Sequence, residues 1–128
     1  MLLKYDRYLK MRVRLLKSKI HRATVTDANL DYYGSISIDQ DLMDAVGVLP
    51  YEHVLVANLT NGTRHETYVI SAPRGSGVIC SNGAAAHLVN IGDKVIIMAF
   101  ADFESDEISS HKAKIIIVDE NNRPIKKT

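Results

Sequence analysis

Turn-forming clusters cut this 128-residue chain into short pieces, and that punctuation limits what it can fold into. The clusters are 31–35 (Asp-Tyr-Tyr-Gly-Ser), Asn61-Gly62, 73–77 (Pro-Arg-Gly-Ser-Gly), Gly92-Asp93, and Asn121-Asn122 with Pro124. Between them lie short runs rich in β-branched residues. Asn-Gly between two such runs is a strong hairpin signal, because both residues tolerate positive φ. The pattern predicts strands over 20–26, 53–59, 64–71, 94–101 and 111–118. It also predicts a short helix over 39–46, with Asp39 as N-cap, Leu42, Met43 and Val46 as its apolar stripe, and Gly47 as its stop. Residues 82–87 (Asn-Gly-Ala-Ala-Ala-His) open a helical turn. Residues 1–16 read as a short helix or an arm, the ordered part ends at 121–124, and 125–128 read as a tail. Met11 is an alternative start to Met1. Short strands between turns point to a mainly-β fold, a small barrel in a single domain.

Charge and composition exclude several function classes. Sixteen basic and fifteen acidic residues leave a net charge of +1, so no global field selects nucleic acid or a membrane. Six tyrosines, two phenylalanines and no tryptophan argue against a stacking platform for single strands. The longest apolar stretches, such as 95–101, are strand-length, far short of a spanning helix. The single cysteine, Cys80, excludes an intramolecular disulfide framework and a multi-cysteine zinc site. No signal-peptide pattern opens the chain, so the cytoplasm is the expected compartment. Charge is nonetheless unevenly spread. Residues 1–22 carry eight cations and one acid, which reads as a solvated arm or first strand. Residues 23–100 carry only Arg64, Arg74 and Lys94 against eight acids.

Familiar chemical motifs fail one by one. Gly75-Ser76-Gly77 has Cys80 where a dinucleotide fingerprint needs its third glycine. His65-Glu66 opens like a zinc-protease helix, but Val69 stands where the second ligand belongs. His21, His53, His65, His87 and His111 show no ligand spacing, and no metal site is expected. Cys80 reads as a small core residue. What remains is Gly34-Ser35, in a turn after paired tyrosines and shortly before a helix start.

The surroundings of that pair carry a resemblance. Lys19-x-His21-Arg22, Val25-Thr26, Leu30-x-Tyr32-x-Gly34-Ser35 and Ile38-Asp39-Gln40-Asp41 resemble blocks of the pyruvoyl-dependent L-aspartate α-decarboxylases. So do Asn61-Gly62-x-Arg64-x-x-Thr67-Tyr68, Arg74-Gly75-Ser76 and Asn82-Gly83-Ala84-Ala85-Ala86-His87. The blocks follow the family's order and spacing from about Lys19 to Ala101. Residues 1–10 look like an extension of the usual family start.

The resemblance implies a six-stranded double-psi β-barrel and a homotetramer with sites between subunits. It also implies cleavage between Gly34 and Ser35, giving a β-chain of 1–34 and an α-chain of 35–128. Ser35 would become a pyruvoyl group, so neither pyridoxal phosphate nor metal is needed. The implied reaction is decarboxylation of L-aspartate to β-alanine and CO2 through an imine, in pantothenate and coenzyme A synthesis. Decarboxylation leaves a carbanion at Cα, and a keto group supplies the electron sink that ordinary side chains lack. By resemblance Thr67 meets the oxyanion during cleavage and also touches substrate. Arg64 and Lys19 bind substrate carboxylates, Tyr32 orients the substrate, and Tyr68 gives a proton to Cα. Asn82, Gly83, Ala84, Ala85 and Ala86 approach the substrate with amide and backbone donors. Expected partners are aspartate, the other subunits and a maturation helper protein, with no nucleic acid and no membrane. Two competing readings are an amidohydrolase using Ser35 as an N-terminal nucleophile and a nucleic-acid module using the basic N-terminus.

Overall fold

The computed structural model describes residues 11–128. The expected extension at 1–10 lies outside the described residues. Nine strands form: β1 (Arg12–Thr24), β2 (Asp27–Asn29), β3 (Ser35–Asp39), β4 (His53–Asn58), β5 (Arg64–Ala72), β6 (Ile79–Asn82), β7 (Lys94–Glu104), β8 (Lys114–Val118) and β9 (Pro124–Lys127). Two short helices, α1 (Gln40–Val46) and α2 (Ser105–Ile108), and a 3-10 helix at Gly83–Leu88 complete the chain. Nine strands thus stand where six were expected; six have five residues or more, and β2, β6 and β9 are shorter.

The strand order β2-β6-β3-β5-β4-β7-β1-β8-β9 cannot lie flat. β2 and β1 stand six places apart, about 29 Å at the usual strand spacing. Only Val25 and Thr26 join them, and three Cα steps reach at most about 11 Å. The sheet therefore rolls up until β1 and β2 meet. Three parallel pairs (β1–β8, β2–β6, β3–β5) are mixed with five antiparallel ones, so some connections must cross, as a double-psi barrel requires. Register shifts in β1, between Leu16 and Ser18 and between Ile20 and Ala23, bend that long strand around the barrel.

The interior is aliphatic. Ile20, Ile36, Ile38, Val56, Val69 and Ile97 are almost fully buried. Helix α1 matches its expected signals: Asp39 caps it, Leu42, Met43 and Val46 are buried, and Gly47 ends it at φ 74°. Gly83–Leu88 is the expected helical turn, in 3-10 form.

Three local expectations need correction. Residues 12–16 belong to β1, because their partners are Phe100–Glu104 of β7, which lies far away in sequence. Residues 124–127 are not a tail but β9, paired antiparallel with β8. Asn122 does not mark the end of order either. It sits at φ 58° with 1% exposure. Its amide donates to the carbonyls of Thr24 and Gly77 and accepts from the Thr24 N–H. Asparagine tolerates this left-handed conformation better than most residues.

Candidate active site

Ser35 begins β3, directly after the 30–34 turn. It is 1% exposed and has φ 134°, a region that side-chain-bearing residues rarely adopt. Such strain costs about 1–3 kcal/mol and persists only where the surroundings enforce it. The strain sits on the serine. Gly34 has no positive φ, and a Cβ added to it would meet nothing within 4 Å.

Strand β6 supplies the enforcing neighbours. It pairs antiparallel with β3, placing Asn82 opposite Ser35 and Cys80 opposite Ser37. Opposite residues share a face. The Asn82 Nδ2 donates to Ser35 Oγ at 3.2 Å and to Ser37 Oγ at 3.0 Å. Its Oδ1 accepts from Cys80 Sγ at 3.3 Å. Each amide hydrogen thus has one hydroxyl acceptor, and the thiol sets which way the amide faces. Burial, reinforced by the Asp27 carboxylate, raises the Cys80 pKa and keeps the S–H available. Because Asn82 is committed to the serines, it places no side-chain cap on the 3-10 helix that follows.

Gly83 stands at φ 64°, pressed against the 32–34 segment. A Cβ there would lie 2.9 Å from Gly34 Cα, 3.1 Å from Gly34 N and 3.2 Å from the Tyr32 carbonyl oxygen. Tyr32, Ser37, Cys80 and Asn82 line an adjoining cleft of about 500 Å³. Ala84 is exposed, Ala85 half-buried and Ala86 buried.

Strand β5 flanks β3 on its other side. The parallel register Ile36–Val69 brings Ser35 level with Tyr68. Tyr68 is 38% exposed, and its ring centroid lies 6.3 Å from that of Tyr51. Alternation along β5 puts Arg64, Glu66 and Tyr68 on the exposed face and His65, Thr67 and Val69 on the other. Arg64 and Tyr68 therefore share a face, about 13 Å apart along the strand. Thr67 faces the opposite way. Among the described residues its side chain makes no hydrogen bond to Gly34 or Ser35.

The sparse cations sort themselves. Arg74 pairs with Asp41 and Asp44, and Lys94 pairs with Glu120. Among the described residues neither Arg64 nor Lys19 enters an ion pair. Lys19 stands in the cross-strand row Lys19–Met98–Leu55–Glu66, four strands from β3 along the sheet. One chain thus assembles Ser35, Tyr68, Asn82, Gly83 and Tyr32, and leaves Lys19 and Arg64 apart from them. His21, two residues beyond Lys19, has its pKa lowered by burial and by Lys19 and Arg22, and its Nδ1 has no partner among the described residues.

The sequence reading missed Ser37 and Cys80, both bound to Asn82. Their signal was available in the period of two along strands: Ser37 follows Ser35 by two, and Cys80 precedes Asn82 by two.

The family model described as aspartate decarboxylase matches residues 11–125. The chain belongs to the aspartate decarboxylase family. Relatives named aspartate 1-decarboxylase resemble it over nearly their whole length. That of Caldicellulosiruptor saccharolyticus is 59% identical over 116 residues, 91% of each chain. That of Campylobacter jejuni serotype O:6 is 58% identical over 118 residues, 92% of this chain and 93% of the relative. That of Ruminiclostridium cellulolyticum is 54% identical over 118 residues, 92% of each. Two solved structures of rationally designed proteins, mkDPBB_sym1 and mkDPBB_sym_86, overlap this decarboxylase-family chain at TM-scores of 0.44 and 0.41 and 18% identity. They cover 66% and 68% of it, and 96% and 90% of their own chains. No helix among the described residues is long and apolar enough to cross a membrane.

Proposed function

We propose that this chain cleaves itself between Gly34 and Ser35 and then decarboxylates L-aspartate to β-alanine and CO2. The observation that carries the reading is the buried, positive-φ Ser35 after Gly34, with the Asn82 amide on its hydroxyl.

Cleavage uses only this chain's own atoms. Ser35 Oγ adds to the Gly34 carbonyl carbon, the C–N bond breaks, and the hydroxyl proton ends on the freed Ser35 amine. The resulting ester loses the Gly34 carboxylate by elimination across the Ser35 Cα–Cβ bond. Water then replaces the nitrogen as ammonia, leaving a pyruvoyl end on the chain 35–128 and a free chain 1–34. The surroundings of Ser35 suit such a group: small, uncharged, buried, and met by an amide donor where an oxygen accepts. A pyruvoyl group supplies an electrophilic carbonyl, the electron sink for the carbanion left by CO2.

The other roles belong to named side chains. The Arg64 guanidinium takes one substrate carboxylate in a bidentate contact, and Lys19 takes the other. Tyr32 orients the substrate from the rim of the cleft. Tyr68, level with Ser35, delivers the proton to Cα. Asn82 donates its amide, and Gly83, Ala84, Ala85 and Ala86 keep the backbone close to substrate. The oxyanion on Gly34 is met by Thr67 in the family pattern.

Lys19 and Arg64 stand apart from Ser35 within one subunit, which favours a homotetramer whose sites lie between subunits. With β-alanine as its product, the enzyme serves pantothenate synthesis in this reading, and the cytoplasm is its expected compartment. Intact mass of the purified protein tests the reading. Two chains are expected, the second one ammonia lighter than an N-terminal serine would make it. An unmodified serine end favours the amidohydrolase reading. Ser35→Ala should stay whole, and cleavage at the same bond would overturn the mechanism. A time course of purified precursor alone, then with cell extract, reads the need for a helper protein.

A further inference from the structure

We propose that Gly83 is a positioning residue for self-cleavage, holding the Gly34 carbonyl carbon against Ser35 Oγ; this rests on the self-cleavage reading above. Two consecutive residues hold the two reacting partners. Asn82 fixes the nucleophile through its amide on Ser35 Oγ. Gly83 fixes the electrophile, because its Cα packs against Gly34 and the Tyr32 carbonyl with no space for a side chain. The β3–β6 register joins the two halves, since Ser35 lies directly opposite Asn82. The bound segment is pinned on both sides: β6 holds Ser35, and the first residue of the 3-10 helix holds residues 32–34.

The contact is tighter than any side chain permits. An added methyl would start 2.9 Å from Gly34 Cα, where ordinary contact begins at 3.4 Å. Gly34 backbone must then retreat by about half an ångström. Misplacement by 1 Å can cost an intramolecular attack about 100-fold, so half of that is expected to slow cleavage by roughly tenfold or more. The obstacle is backbone, which cannot swing aside as a flexible side chain would.

Gly83→Ala tests this, with Gly62→Ala and Gly92→Ala as matched controls. All three glycines have positive φ, at 64°, 78° and 93°, but a Cβ at Gly62 or Gly92 meets nothing within 4 Å. The controls thus carry the backbone cost without the collision. Cleavage is followed by intact mass and denaturing gels, and folding by circular dichroism. The expected result is folded Gly83→Ala cut at least about tenfold more slowly than wild type and both controls. A Gly83→Ala chain cut at the wild-type rate would overturn the assignment, as would controls slowed equally. Should Gly83→Ala fold poorly, trimethylamine N-oxide favours its compact state, and cleavage is scored on the folded fraction by the same criteria. A wild-type chain that never cleaves would instead sink the self-cleavage reading, and this inference with it.

Discussion

Asn82 illustrates what a single residue in this site must do and how little of it a sequence can display. Its type and its place before Gly-Ala-Ala-Ala suggest an amide near substrate. That both amide hydrogens end on serine hydroxyls, and that a thiol holds the oxygen, depends on β6 lying beside β3. Ser35 shows the same division. Its candidacy is legible from Gly34-Ser35 in its flanking blocks, but its φ of 134° is not, and the glycine beside it proves unstrained. Arg64 stands out in the sequence as a rare cation; the structure adds that Arg74 and Lys94 are already paired. Tyr68 gives the sharpest test at this scale. Tyr68→Phe removes one hydroxyl from a half-exposed ring, so the chain should still cleave at Ser35. General acids typically contribute about 100-fold to 10,000-fold, so β-alanine formation should fall by about 100-fold or more. Unchanged turnover in fully cleaved protein would remove Tyr68 as the sole proton donor.

Local signals place elements well when both ends are written nearby. The α1 cap, stripe and stop are all within nine residues of one another, and the helix forms where they indicate. Elements whose partners are remote escape such reading. β1 extends to Arg12 because β7 runs alongside it, and β9 exists because β8 offers an edge. Asp39 joins the two kinds. It caps α1 through the Asp41 N–H, and it also accepts the N–H groups of Gly75 and Gly77 from the next turn. Arg123 stands 3.7 Å away, and Asp39 itself has 0% exposure. Asp39→Ala would leave three donors without this acceptor. The Gly77 contact is buried and an unmet buried donor costs about 1–3 kcal/mol, while the part-buried Asp41 cap is worth about 1 kcal/mol, so the loss should be about 2 kcal/mol or more. Denaturant unfolding of the uncleaved Ser35→Ala chain, with and without Asp39→Ala, measures it. A difference below about 1 kcal/mol, no more than a typical exposed cap, would mean that the Gly75 and Gly77 contacts add nothing.

Viewed as a whole, the molecule is a sheet rolled around an aliphatic interior, and that interior dislikes charge. The mainly-β class and a small barrel were legible from short runs and turns, whereas the strand order was not, because pairs such as β1–β7 and β1–β8 join residues far apart in the chain. The row Ile20–Ile97–Val56–His65 brings a histidine to the inner face. Its Nε2 has no partner among the described residues, and burial lowers its pKa below the ordinary 6.5. The unfolded chain therefore binds its proton first as pH falls. Stability from a neutral His65 is complete above 6.5 and is lost as pH drops through the lower folded value. Thermal midpoints taken above and below pH 6.5 should fall on acidification, and less steeply in His65→Gln. Equal slopes would remove His65 as the source. β1 also has a mechanical meaning. It lies between β7 and β8, bonded to both, while the bond after Gly34 lies beyond its end. A nick there alters the chain's connectivity without loosening a stave. After such a cut the fragment that carries β1 would stay clasped by its strand pairing with β7 and β8, by the Lys17–Glu52 ion pair and by the burial of Ile20 and Val25, two pieces held together with no covalent link.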